Sequence, residues 1–132
     1  MNPTHHPQVQ AYLLRHQVPP EHLRDDGRLT LHLGGRARVQ LQPLPGGALL
    51  LEGRIAPLPP ACRARHDKLD TVLRAGAARM ATHAQAVAVD ADAQALVLQQ
   101  RVDDDLSPVA FDQAVDDFAR ALVFWKALEA GR

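Results

Sequence analysis

Residues 107–128 read SPVAFDQAVDDFARALVFWKAL and predict one long amphipathic helix. The apolar stripe repeats at intervals of three and four residues and consists of Phe111, Val115, Phe118, Leu122 and Trp125. Large aromatic side chains bury the most area, so this face should form a main part of the core. Ser107 is a good N-cap, and Pro108 suits the first helical position, where its missing N–H costs nothing. Val123 and Phe124 lie off the stripe, which predicts a second apolar contact near the end of the helix.

The composition predicts a single domain over residues 1–132. The chain is 46% hydrophobic but only 4% aromatic, so the core is thin for its length and a partner subunit would supply further burial. With 15 basic and 15 acidic residues the net charge is zero, which gives no argument for nucleic-acid binding. The one cysteine, Cys62, excludes an internal disulfide and fits a reducing cytoplasm. We expect no membrane partner, because no apolar run approaches the ~18 residues of a membrane helix and no secretion signal begins the chain.

A short helix followed by three strands is predicted in the first half of the chain. The helix spans about residues 4–17, and Pro19-Pro20 lies just beyond it. From Leu29 to Ile55 apolar and polar residues alternate, which predicts an antiparallel meander with one apolar face. Gly34-Gly35 predicts the first hairpin turn, since both turn positions need positive φ.

A second helix within residues 61–82 and a second hairpin follow. The helix has a smooth, alanine-rich back and carries Gly76 in its interior, which indicates close packing. Val87 and Val89 alternate with smaller residues, and Leu96 and Leu98 share a face of the returning strand. The predicted class is therefore α+β, a twisted antiparallel sheet with helices packed on it, in the order α-β-β-β-α-β-β-α.

Seven histidines raise the question of metal or catalytic chemistry. No histidine or cysteine cluster has the spacing of zinc ligands, so we expect no metal, no cofactor and no catalytic residue. The segment from Asp90 begins like a calcium loop, but Ala95 and Arg101 stand where such a loop has Gly and Glu. A small enzyme using His83 with Asp90 stays an alternative, although no spacing supports it specifically.

Segments along the chain carry a family resemblance. In chain order they are LTLHLGG at 29–35, LLLEGRI at 49–55, LDTVLRAG at 69–76, VAVD at 87–90, ALVL at 95–98 and FARALVFW at 118–125. In this order they resemble the class I type III secretion chaperones, the Tir-chaperone (CesT-like) family. The sequence departs from the family at Gly76, where Asn is usual, and at 81–85, which lacks the usual glycines.

The resemblance implies a non-enzymatic homodimer in the bacterial cytoplasm that binds the N-terminal region of a secreted effector in extended form and keeps it export-competent. A disordered client can add a strand to a sheet edge and place apolar side chains in grooves. The secretion ATPase is a further implied partner. The implied dimer interface consists of Leu69, Val72, Leu73, Gly76, Met80, Val87 and Val89.

We expect the client surface to combine the first helix with the exposed part of the meander, and arginines at its rim to pair with acidic client residues. The predicted effector-binding residues are Val9, Tyr12, Leu13, Leu31, Arg36, Arg38, Val39, Leu41 and Leu49. Two alternatives stay open. The helices can instead cover these apolar side chains completely, and the chain can be an adaptor or binding module unrelated to secretion.

Overall fold

The computed structural model describes residues 6–35, 37–58, 67–70, 74, 85–90 and 94–130. A helix lies near each end of the chain. The N-terminal helix is Pro7–Arg15, and the C-terminal helix is Pro108–Ala130. The strands are β1 (Leu29–Leu33), β2 (Ala37–Pro43), β3 (Leu49–Pro57), β4 (Ala86–Val89) and β5 (Ala95–Val102). The helix predicted within 61–82 lies largely outside the described residues. Within that range only residues 67–70 and 74 are described, and these are helical.

The strands form one antiparallel sheet in the order β1-β2-β3-β5-β4. Gly34 and Gly35 join β1 to β2 with φ of 62° and 69°, as the predicted two-residue turn requires. The second hairpin joins the meander through β5, which pairs with β3 from Leu49↔Val102 to Pro57↔Ala95. The predicted α+β class is confirmed, and β1 and β4 are the two edge strands of the sheet.

The C-terminal helix begins as the sequence predicts. The Ser107 hydroxyl accepts a hydrogen bond from the Ala110 N–H at 3.2 Å, and the Ser107 carbonyl accepts one from the Phe111 N–H at 2.8 Å. All five residues of the predicted stripe are buried. Phe124, which lies off the stripe, keeps 44% of its surface exposed. The stripe is therefore the face that packs on the sheet.

Close packing of this helix on β3 depends on Gly53, a buried strand residue. A Cβ atom at this position would lie 3.0 Å from Leu122 Cδ1 and 3.2 Å from Leu122 Cγ, and closer still to Cδ2. Leu122 is 1% exposed. The glycine thus leaves the space that the leucine side chain occupies.

The two strands β2 and β3 are paired along only part of their length. Their register runs from Gln40↔Glu52 to Pro43↔Leu49, although β2 begins at Ala37 and β3 ends at Pro57. Toward those ends β2 stays paired with β1, and β3 stays paired with β5. The sheet therefore opens between its second and third strands.

Candidate functional site

The apolar residues predicted to contact a client lie in the core. They are Val9, Tyr12, Leu13, Leu31, Val39, Leu41 and Leu49, and each exposes at most 8% of its surface. They belong to one hydrophobic cluster with the buried stripe of the C-terminal helix. The structure thus corrects the expectation of an exposed groove floor, because the helices cover this face of the sheet. Arg38 is exposed, and Arg36 lies outside the described residues.

The N-terminal helix is held against the C-terminal helix by an edge-to-face ring contact and by two polar contacts to Asp112. The Tyr12 and Phe111 rings meet edge to face with centroids 5.8 Å apart. Arg15 Nη2 lies 2.6 Å from Asp112 Oδ1, and His16 Nε2 lies 3.0 Å from Asp112 Oδ2. These contacts join residues about 97 positions apart in the chain, so they fix where the first helix sits.

The same contacts shift two pKa values. Burial by itself would raise the pKa of Asp112, but hydrogen bonds from Arg15 and His16 outweigh it and hold that pKa below its usual 3.8. Burial raises the pKa of Tyr12 to about 12, and the charges of Asp112 and Asp116 add to the rise. The phenol therefore stays neutral, and the carboxylate stays charged, throughout the physiological range.

Strand β1 forms one edge of the sheet, and this edge is accessible to another strand. Apart from the isolated bridge between Leu23 and Leu29, none of the described strands pairs with its outer side. The backbone from Thr30 to Leu33 is thus an edge to which another strand can be added.

One cavity beyond this edge is largely apolar. It has a volume of about 350 Å³ and lies between the β1–β2 turn and the C-terminal helix. We call it the helix groove, and it is lined by Leu33, Gly34, Ala37, Asp116, Ala119, Arg120 and Val123. Val123 packs partly on the core, whereas Phe124 stays exposed, so the second apolar contact near the helix end stays a prediction.

A second cavity, of about 260 Å³, lies beside the same strand. We call it the histidine pocket, and it is lined by Tyr12, His16, Gln17, Val18, Pro19, His22, Leu31, His32 and Leu33. The His22 and His32 rings stand edge to face with centroids 5.8 Å apart. Leu33, at the end of β1, lines both cavities.

The described part of the chain gives little support for a metal site or a catalytic site. There, no three side chains of His, Cys, Asp or Glu converge as metal ligands would. Asp90, half of the alternative catalytic pair, caps a turn: its Oδ1 accepts hydrogen bonds from the Gln94 and Ala95 N–H groups at 2.8 and 3.2 Å. His83 lies outside the described residues. The described helices also include none long and apolar enough to cross a membrane.

The predicted dimer interface is described only in part. Leu69 and Val87 are half-buried and pack against the core cluster, and Val89 is 36% exposed at the edge strand β4. The other four predicted interface residues, Val72, Leu73, Gly76 and Met80, lie outside the described residues. The interface therefore stays a prediction.

Comparison with known sequences identifies the family. The sequence profile of the Tir chaperone protein (CesT) family matches residues 10–126, most of the chain. This chain belongs to the Tir chaperone protein (CesT) family. It matches none of the curated proteins with which it was compared. The resemblance noted from its sequence segments is thereby confirmed.

Solved structures share the fold of this CesT-family protein. The ExsC–ExsE complex matches with a TM-score of 0.68 and 17% identity, over 92% of this chain and 90% of the other. The HopA1–SchA chaperone–effector complex matches with a TM-score of 0.68 and 15% identity, over 91% of each chain. The Yersinia pestis type III secretion chaperone SycH, in complex with a fragment of YscM2, matches with a TM-score of 0.58 and 13% identity, over 89% of this chain and 96% of the other. At these identities the likeness shows a common fold.

Proposed function

We propose that this CesT-family protein is a type III secretion chaperone of the bacterial cytoplasm, which binds the N-terminal region of a secreted effector in extended form. The family match over residues 10–126 is the observation that carries the proposal. Two solved complexes of similar fold support it, since one is described as a chaperone–effector complex and the other contains a type III secretion chaperone. A chaperone of this kind needs no catalytic residue, in keeping with a family of chaperones.

The client surface is best supported along the free edge of β1. A client strand added to Thr30–Leu33 would gain main-chain hydrogen bonds, and its side chains would point alternately toward the two sides of that edge. The helix groove offers an apolar site there, with Asp116 and Arg120 at its rim. This surface replaces the buried residues first expected to meet the client, and Arg38 stays a predicted rim contact on the outer face.

Filling the helix groove tests this surface. Ala119→Met would place a longer side chain in the groove while keeping a residue with good helix propensity. Val109→Met is the matched control, because Val109 is on the same helix but 80% exposed and outside the groove. We expect Ala119→Met to reduce co-purification with the N-terminal segment of an effector encoded beside this gene, and Val109→Met to leave it unchanged. Equal binding by both variants would exclude the groove, and no binding by the parent protein to any neighbouring effector would count against the function.

Two partner proposals accompany the function. A homodimer would join protomers through the predicted interface around Leu69, Val87 and Val89, and would add burial to a core with few aromatic residues. The edge strand β4 is exposed enough at Val89 to take part in such contact. Contact with the secretion ATPase is proposed from the family resemblance alone.

A further inference from the structure

The opening between β2 and β3 contains a cavity that shares only Arg38 with the client surface proposed above. Its volume is about 400 Å³. We call it the sheet opening, and it is lined by Arg38, Gln40, Glu52, Gly53, Arg54, Ile55, Ala56, Pro57, Asp90, Ala95, Val97 and Lys126. Lys126 comes from the C-terminal helix, whereas Val97 lies beside Arg54 in the register of β3 with β5. The cavity is therefore bounded by the helix as well as by the sheet.

The backbone of β3 forms one wall of the sheet opening. Six consecutive residues, 52–57, line the cavity. Since successive side chains of a strand point in opposite directions, side chains alone would contribute only every second residue, so the backbone also lines the cavity. Beyond Glu52 this edge of β3 is not paired with β2. A strand edge with unpaired N–H and C=O groups is a template for another extended segment.

Two exposed arginines line this opening, and no carboxylate of the described residues pairs with either of them. Arg38 and Arg54 are both exposed, and within the described part of the chain neither takes part in an ion pair. Continuing the register of β2 with β3 would set them opposite each other. Arginine is well suited to bind a carboxylate, since its guanidinium group can donate two parallel hydrogen bonds.

The acidic residues that line the opening already have hydrogen-bond donors. Glu52 Oε2 accepts a hydrogen bond from Gln99 Nε2 at 2.8 Å. Asp90 Oδ1 accepts the two backbone N–H groups that close the turn after β4. One oxygen of each carboxylate is thus already engaged, by a side chain of β5 for Glu52 and by backbone groups at the start of β5 for Asp90.

We propose that the sheet opening binds an extended acidic peptide segment, which adds as a strand to the free edge of β3 and pairs its carboxylates with Arg38 and Arg54. Successive side chains of a strand alternate in direction, so acidic residues at every second position would face the arginines together. Arginine can hold a carboxylate through two parallel hydrogen bonds. The assignment of this segment to a client rests on the proposed function, whereas the site itself rests on the geometry.

A labelled peptide tests the site directly. The probe is a ten-residue peptide of alternating Glu and Val with a fluorescein label, titrated with the purified full chain and followed by fluorescence anisotropy. We expect Arg38→Gln and Arg54→Gln each to weaken binding about threefold and the double variant about tenfold. Arg101→Gln is the matched control, because Arg101 is an exposed arginine of β5 outside the opening, and it should leave the affinity unchanged.

Several results would overturn the proposal. They are equal binding of the peptide by the double variant, equal binding of a peptide with Lys in place of Glu, and no binding of the acidic peptide at millimolar concentration. Circular dichroism should show all variants folded, since both arginines are exposed. These outcomes leave the function itself untouched, because that function is tested separately by co-purification of the parent protein with a neighbouring effector.

Discussion

Replacing Gly53 by Ala tests whether the C-terminal helix packs on β3 as closely as the structure indicates. Alanine normally stabilises a strand relative to glycine by about 0.5–1 kcal/mol. Here the new methyl group would lie 3.0 Å from Leu122 Cδ1, and Leu122 is buried, so its side chain would have to shift within the core. Overpacking of this kind costs about 1–3 kcal/mol, so we expect a net loss of about 1–2 kcal/mol.

Urea denaturation followed by Trp125 fluorescence would measure this loss, with all variants at one protein concentration because dimerisation would also contribute to stability. The control is the same substitution in a Leu122→Ala background, where the opposing side chain has been removed. There the cost of Gly53→Ala should disappear or become a gain. A Gly53→Ala protein as stable as the parent, or a cost that persists without Leu122, would refute the packing argument.

Three further predictions follow from the buried helix, its ion pairs and the proposed dimer. Trp125→Ala should lower the free energy of unfolding by about 3–5 kcal/mol, because the side chain is 2% exposed; a variant that melts like the parent would contradict its core position. The lowered pKa of Asp112 means that its carboxylate stabilises the fold above pH 3.8, and that this contribution is lost as pH falls through the lower pKa of the folded state. Asp112→Asn should therefore melt below the parent at pH 6, and the gap should close toward pH 2; a gap independent of pH would exclude the ion pairs as its cause. Light scattering at micromolar concentration should find a dimer, and a monomer would reject the proposed interface.

Much of the local structure could be predicted because it depends on neighbours in the chain. Gly34-Gly35 forms the predicted turn, since positive φ is a local requirement. Ser107 caps the C-terminal helix through a side chain three residues from its donor. The spacing from Phe111 to Trp125 places both on the buried face, because helix periodicity is also local.

The candidate site was harder to predict because exposure depends on distant elements. Alternation correctly placed Leu31 and Leu41 on one face of the meander, but it contains no information on whether a helix covers that face. The helix groove joins Ala37 with Val123, which are far apart in sequence. Its one sequence signal was the apolar character of Val123 off the main stripe.

The sequence by itself determined the elements seen in the described part of the chain, because periodicity, turn residues and caps act over a few residues. It also indicated the family, through the resemblance of its segments in chain order. Only the tertiary structure decided how these elements meet. It placed β5 between β3 and β4, seated Leu122 over Gly53 and let β2 separate from β3. Such contacts join residues of large sequence separation, and their geometry depends on how whole surfaces pack. The accessible β1 edge and the sheet opening are therefore properties of the folded protein.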